Sequence, residues 1–328
     1  MQKAILKPIL TVALTTALVA CGGSGSGGGS SVSYPSVTDY SLLPMSDSNA
    51  ETVYASTTQS VTGDATSTPS LPSDALTYTP STALNSLPDI ADLYTTFAVS
   101  ARAAGGQFDN AQCQGGGTLS ATSSDTFSNA GDYINVTFSN CVSGNTRLNG
   151  GFRMTLLSSD SSLANLRIDF IQYTAQTGAQ TISVNGDMSL RASTIGSTQY
   201  VSVQSTQINV QDSESGDTVM TNLLISGELD SSGESRLDIG YNIGSDAING
   251  RVTASTPMTM VTASGDAWPN IGQMRIDGDG GSYVTLDANT GDINTVLVTI
   301  NNGSSVQSNT VAWSSLDGAG FGEFVSFQ

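Results

Sequence analysis

Histidine is absent from this 328-residue chain, and its only two lysines are Lys3 and Lys7. Beyond residue 7 the cations are therefore eight arginines, against 28 aspartates and glutamates. These absences exclude Ser-His-Asp and Cys-His nucleophile systems, lysine Schiff bases, P-loop phosphate binding and histidine-ligated zinc, haem or copper. The acidic excess would repel phosphate backbones, which argues against nucleic-acid binding. We therefore expect no catalytic residues, no cofactor and no nucleic-acid partner.

The chain opens with a short export signal. Lys3 and Lys7 precede an apolar stretch over residues 9–20, which is too short to span a bilayer. This stretch ends in Leu18-Val19-Ala20-Cys21, and a Gly/Ser-rich spacer follows over residues 22–30. Residues 18–21 resemble the lipobox of bacterial lipoproteins, whereas the alternative is a plain secretory signal with an incidental cysteine.

The lipoprotein resemblance implies how the chain is processed. The signal peptide, residues 1–20, would be removed, and Cys21 would carry acyl chains such as palmitate that anchor the protein in a membrane. Gly22 stands where an aspartate would resemble the inner-membrane retention signal, which favours the outer membrane. Which face of that membrane carries the protein is left open.

Two further cysteines, Cys113 and Cys141, form an even pair in an exported chain, and we predict a disulfide between them. The segment midway between them is polar and turn-like, and strand-like segments lie on both sides of it. The cysteines would then meet at the open end of a hairpin. A redox or metal-binding pair is the alternative, although neither a CxxC spacing nor a histidine supports it.

Composition divides the rest of the chain into a tether and a domain. Residues 21–85 are rich in Ser, Gly, Thr and Pro and show no sustained periodicity, which predicts a flexible lipidated tether. Short apolar pieces of this tether, such as residues 53–55, could dock on the domain. The domain would span residues 86–328. Apolar residues at helical spacing predict one amphipathic helix over residues 86–104, stopped by Gly105-Gly106.

After Gly106 the apolar residues alternate with period two, as in residues 166–170 and 236–243. About twelve strands in an antiparallel meander are predicted, with a bulge near residues 205–207, where the parity flips. Glycine recurs as the third residue after an apolar and a polar residue, at positions where a side chain would point to the buried face. This recurrence favours a strongly curved sheet, either a closed barrel or a half-barrel, with the helix packed against it. The alternative is a set of unrelated tight spots. The recurring glycines are Gly150, Gly186, Gly227, Gly250 and Gly278.

Three features were considered as candidate sites. Asp277 and Asp279 in a glycine-rich stretch could present oxygens to calcium, but the EF-hand template fails and a hairpin turn is the simpler interpretation. A pair of carboxylates could hydrolyse glycans, yet no spacing singles one out. Trp268 and Trp313 could stack on sugars or pack in the core. A transmembrane barrel is a further alternative.

The function expected from the sequence is that of an outer-membrane-anchored envelope lipoprotein acting as a non-catalytic structural or binding module. Its partner would be the membrane, through the lipid on Cys21, together with a protein, a glycan or a hydrophobic ligand. The alternatives are a carrier of lipid or another hydrophobic ligand in a half-barrel, and a carboxylate-dependent glycan hydrolase.

Overall fold

A computed structural model of the protein describes residues 34–46, 48–50, 52–54, 107–113, 115–124, 129–143, 145–158, 163–213, 216–266 and 268–316. Fourteen strands among them form one sheet in which each strand is hydrogen-bonded to its neighbours in chain order, and every pairing is antiparallel. The strands are β1 (Gln107–Gln112), β2 (Thr118–Ser123), β3 (Tyr133–Ser143), β4 (Thr146–Ser158), β5 (Leu163–Thr177), β6 (Gln180–Ile195), β7 (Thr198–Asp212), β8 (Gly216–Leu229), β9 (Ser235–Ser245), β10 (Gly250–Thr262), β11 (Ile271–Asp277), β12 (Tyr283–Asp287), β13 (Thr295–Asn301) and β14 (Val306–Ala312). Single 3-10 turns cover Val37–Asp39, Asp279–Gly281 and Trp313–Ser315.

The predicted fold class, mainly β with an antiparallel meander, is confirmed, although the sheet has fourteen strands rather than about twelve. The closed-barrel alternative is wrong, because β1 and β14 do not pair with each other and the sheet stays open. Period-two alternation is the same in open and closed sheets, so it could not decide this point. The predicted helix at 86–104 lies outside the described residues. No helix in the described part is long and apolar enough to span a membrane.

A meander places its turns alternately at two ends of the sheet. One end carries the turns that follow the odd-numbered strands, such as residues 246–249 and 278–282, and we call it the strap end. The opposite end carries the connections that follow the even-numbered strands, such as residues 196–197 and 263–270, and we call it the far end. The longest strands hold 15 or 16 residues, so about 50 Å separates the two ends along them.

Side chains of alternating residues form a single buried cluster on one face of the sheet. In β13 every second residue is buried, as expected for a strand that is apolar on one face only. The most deeply buried large side chains include Tyr173, Phe152 and Ile276, each at most 1% exposed. The inward face is therefore shielded from water.

A row of bulges crosses the middle of this sheet. Register shifts interrupt the β3–β4, β4–β5, β5–β6, β6–β7 and β8–β9 pairings. In the β6–β7 pairing, the three residues 205–207 of β7 lie opposite only two residues of β6, 187 and 188. The predicted bulge is therefore confirmed. Each bulge bends its strand and increases the local twist.

Two of the five recurring glycines, Gly150 and Gly186, lie in this bulge row and make it possible. Gly150 and Gly186 have φ angles of +71° and +127°, and a Cβ on either would overlap a backbone carbonyl of the adjacent strand. Next to this close approach, Phe138 pairs with Gly150, and the Phe138 ring meets Tyr173 edge-on at 6.0 Å between centroids.

The described residues between 34 and 54, which composition placed in the tether, pack on the strap end of the sheet; we call this segment the strap. Residues 37–39 contact β8 and β9, and residue 42 forms a parallel bridge to Arg251. Val53 and Tyr54 are buried in the core cluster, in agreement with the docking expected for residues 53–55. Gly250 and Gly278, two more of the recurring glycines, face the strap.

Tyrosines should dominate the alkaline stability of the domain. Burial raises the pKa of Tyr173 and Tyr241, while burial with the nearby Asp246 and Asp217 carboxylates raises the pKa of Tyr40 to about 12. Above pH 10 the unfolded chain releases phenolic protons that the folded protein retains, so the free energy of unfolding should fall as the pH rises. The expected slope is about 1.4 kcal/mol per pH unit for each buried tyrosine, and less for the partly exposed Tyr40.

Urea unfolding at pH 8, 9, 10 and 11 measures this slope. Tyr241→Phe should have a shallower slope than the wild-type protein, because it removes one titrating group and keeps the ring. A free energy of unfolding that stays constant up to pH 11 would contradict the prediction.

Candidate functional site

A shallow cleft of about 290 Å³ lies at the far end of the sheet, and we call it the far-end cleft. It lies where β6 ends, β7 begins and β8 approaches its end. Cross-strand pairing places Arg191 opposite Ser202 and Ser193 opposite Tyr200. Ser202 in turn pairs with Ser226 of β8. The remaining lining residues are Ile195, Val201 and Gly227.

The far-end cleft combines an aromatic ring, an aliphatic side chain, hydroxyls and one cation. Ile195 is 68% exposed and Tyr200 is 36% exposed, so both present apolar surface to solvent. Arg191 is exposed, and it forms no ion pair with any of the described residues. An open, amphipathic cleft of this kind suits contact with the surface of a protein or glycan better than enclosure of a small molecule.

Sequence reasoning did not single out this cleft. Arg191 is one of eight arginines in the chain, and no local pattern around Arg191 or Ile195 marks a site. The one available signal was the alternation of side chains along β7. Because Val201 and Val203 are buried on one face, the neighbouring Tyr200 must point to the other face, outward. Cross-strand pairing, which brings β6, β7 and β8 together, could not be read from local pattern alone.

The stretch around Asp277 and Asp279 is the predicted hairpin turn, between β11 and β12. The Asp277 carboxylate accepts a hydrogen bond from the Arg275 Nε at 2.7 Å, and the two side chains form an ion pair. Asp279 lies in the 3-10 turn, and its backbone N–H donates to the strap. Within the described residues no group of three metal-binding side chains comes together.

Two acidic side chains do meet across neighbouring strands. Asp169 of β5 pairs directly with Asp187 of β6. The Arg167 guanidinium lies 2.7 Å from one Asp169 oxygen and 3.9 Å from an Asp187 oxygen. This cation offsets the repulsion between the two like charges, so the trio is a structural ion-pair group on the outer face rather than a pair of carboxylates converging on a substrate.

The two tryptophans lie together at the far end. The Trp268 and Trp313 rings are stacked, with centroids 6.0 Å apart and planes 8° from parallel. Trp313 is only 6% exposed, and Trp268 packs against the core cluster. The pair therefore contributes to packing, and neither ring is presented as an isolated platform for a sugar.

The disulfide between Cys113 and Cys141 is confirmed, with a Cα–Cα distance of 5.4 Å. It lies at the strap end, next to the Thr118–Ser139 pair that closes the β2–β3 ladder, so the cysteines meet at the open end of that hairpin as predicted. Beside the bond, the Gly115 N–H donates to the Val142 carbonyl, so the β1–β2 turn extends the ladder.

Cys21, the candidate lipidation site, lies outside the described residues. Comparison with known proteins assigns no relative: no known family, curated protein or solved structure matches the chain.

Proposed function

We propose that this protein is an outer-membrane lipoprotein, anchored through lipid on Cys21, which serves the cell envelope as a non-catalytic structural or binding module. The observation that carries the proposal is the Cys113–Cys141 disulfide, because such bonds persist in the oxidising compartments outside the cytoplasm. The lipobox-like residues 18–21 supply the means of attachment.

Side-chain chemistry supports binding rather than catalysis. The chain has no histidine, and its lysines belong to the signal segment. The closest acidic pair described above is held by Arg167 in a structural role. The far-end cleft instead offers the exposed Tyr200 beside half-buried serine hydroxyls, a combination that suits a protein or glycan surface.

Ring packing inside the core supports the binding module over a carrier of hydrophobic ligands. A carrier needs a continuous apolar cavity, whereas the Phe138 ring packs against the rings of Phe152 and Tyr173, with centroids 6.3 and 6.0 Å apart. We propose that the sheet is strongly curved in a half-barrel manner, because the bulge row bends successive strands at neighbouring positions. The helix predicted at 86–104 would pack against its concave side.

Replacing Cys21 by Ser tests the anchor. The wild-type protein should fractionate with the outer membrane and incorporate labelled palmitate, whereas Cys21→Ser should lose the label and become soluble. The variant should still form the Cys113–Cys141 bond, because the described strands begin at Gln107, far along the chain from Cys21. The matched control, Cys113→Ser/Cys141→Ser, removes the other two cysteines and should keep the label. Retention of Cys21→Ser in the membrane would contradict the proposal.

A further inference from the structure

The strap inserts as a short extra strand where β10 and β11 separate. The last pair of the β10–β11 ladder at this end is Thr253 with Asp277. Beyond it, the Arg251 N–H donates to the carbonyl of residue 41 at 2.9 Å, and the Leu43 N–H donates to the Arg251 carbonyl at 3.0 Å. The Leu43 carbonyl accepts from the Asp279 N–H at 2.9 Å. Leu43 therefore joins β10 to the β11–β12 turn through its backbone.

Three glycines shape the sheet end to receive this segment. A Cβ on Gly244 would lie 2.5 Å from the Tyr40 ring, and a Cβ on Gly250 would lie 2.9 Å from the Leu43 Cβ. A Cβ on Gly278 would overlap the Leu43 carbonyl oxygen. Glycine permits such close approach of another chain segment, so residues 40–43 occupy a groove that fits them.

Beyond this groove the strap enters the core. The Met45 N–H donates at 2.7 Å to the Ser282 hydroxyl, which is itself buried. Met45 and Val53 are each 1% exposed, and Tyr54 is 9% exposed. Detaching the strap would expose these apolar side chains to water, which makes release unfavourable.

We propose that the strap fastens the lipid anchor to the strap end of the sheet, so that this end stays beside the lipid surface and the far end is presented away from it. The inference rests on the proposed lipidation of Cys21. From Cys21 to Tyr34 the chain advances 13 residues, a reach of at most about 45 Å, whereas from Cys21 to Gln107 it advances 86 residues, or about 300 Å. Docking of the strap thus shortens the connection between the lipid and the first docked residue from 86 residues to 13.

The position of basic residues in the chain provides a direct test. No lysine follows Lys7, and Arg102 is the first arginine after Cys21, so trypsin can separate the lipidated strap from the sheet domain by a single cut. In membranes cut at Arg102, nearly all of the sheet domain should stay in the pellet, held by the non-covalent strap. In the Met45→Glu/Val53→Glu variant it should move to the supernatant after the same cut.

Met45→Leu is the matched control, since it keeps an apolar side chain of similar size and should retain the domain in the pellet. Near-ultraviolet circular dichroism checks that the charged variant keeps its folded sheet. A protease recognition sequence inserted after Ala65 provides a second cut that leaves the helix proposed at 86–104 on the sheet domain, so that retention in the pellet after this cut depends on the strap and not on that helix. Release of the wild-type domain as complete as that of the charged variant would overturn the inference.

Failure of the anchor and failure of the strap give different results. If the uncut wild-type protein is already soluble, the lipid proposal fails, and the strap is then tested by gel filtration of the cut protein. Co-elution of the two fragments would support docking of the strap without any membrane, and their separation would overturn it.

Discussion

Replacing Gly150 by alanine is expected to lower the free energy of unfolding by about 2 to 5 kcal/mol. Gly150 lies in the bulge row with φ at +71°, a conformation that costs a residue with a Cβ about 1 to 2 kcal/mol. The added Cβ would also overlap the Gln172 carbonyl oxygen of β5, and the backbone shift needed to relieve this costs about 1 to 3 kcal/mol more.

Gly178→Ala separates these two contributions. Gly178 has a φ of +60°, but a Cβ there would meet nothing within 4 Å. This control should therefore lose only the conformational part, about 1 to 2 kcal/mol. Urea unfolding of both variants measures the difference, and equal losses would show that close approach of β4 and β5 at Gly150 does not contribute.

Removal of the disulfide should cost a similar amount. Cys113 and Cys141 are 28 residues apart, and opening a loop of that length costs about 3 to 4 kcal/mol in the chain-entropy treatment. We expect Cys113→Ser/Cys141→Ser to unfold at lower urea concentration, with β1 and the β1–β2 turn losing amide protection first because the bond joins them to β3. Hydrogen exchange measures this order.

Dithiothreitol supplies the comparison without mutation. Reduced wild-type protein should also lose the loop-closure contribution, and it should remain somewhat more stable than the double variant, because Cys141 is buried in the apolar cluster and its thiol is larger and less polar than a serine hydroxyl. A double variant as stable as the oxidised protein would contradict the assignment of a stabilising role to this bond.

Several features of the fold follow from local pattern. Alternation such as that of residues 236–243 specifies strands with one buried face, because successive side chains of a strand point to opposite sides. The change of parity around residues 205–207 indicated a bulge, since only an inserted residue can return apolar side chains to the same face. The two cysteines that remain beyond Cys21 left a single possible pairing between them.

The chemistry of the chain was also limited by its composition. Without histidine, and with lysine confined to the first seven residues, the chain lacks the groups of most nucleophilic and metal-dependent mechanisms. This conclusion needs no coordinates. It could not supply a binding site, because Arg191 and Tyr200 are far from Ser226 in sequence and meet only through the β6–β7–β8 pairing.

By itself, then, the sequence determined the strand type, the meander, the disulfide and the excluded chemistry, because each depends on residue identity or short-range alternation. Tertiary structure alone decided that the sheet stays open, that the far-end cleft exists and that the described residues between 40 and 54 pack on the sheet. These features depend on which distant segments meet, as when Leu43 bonds to both Arg251 and Asp279. A segment without periodicity can pack as firmly as a strand when glycines such as Gly250 and Gly278 leave room for its backbone.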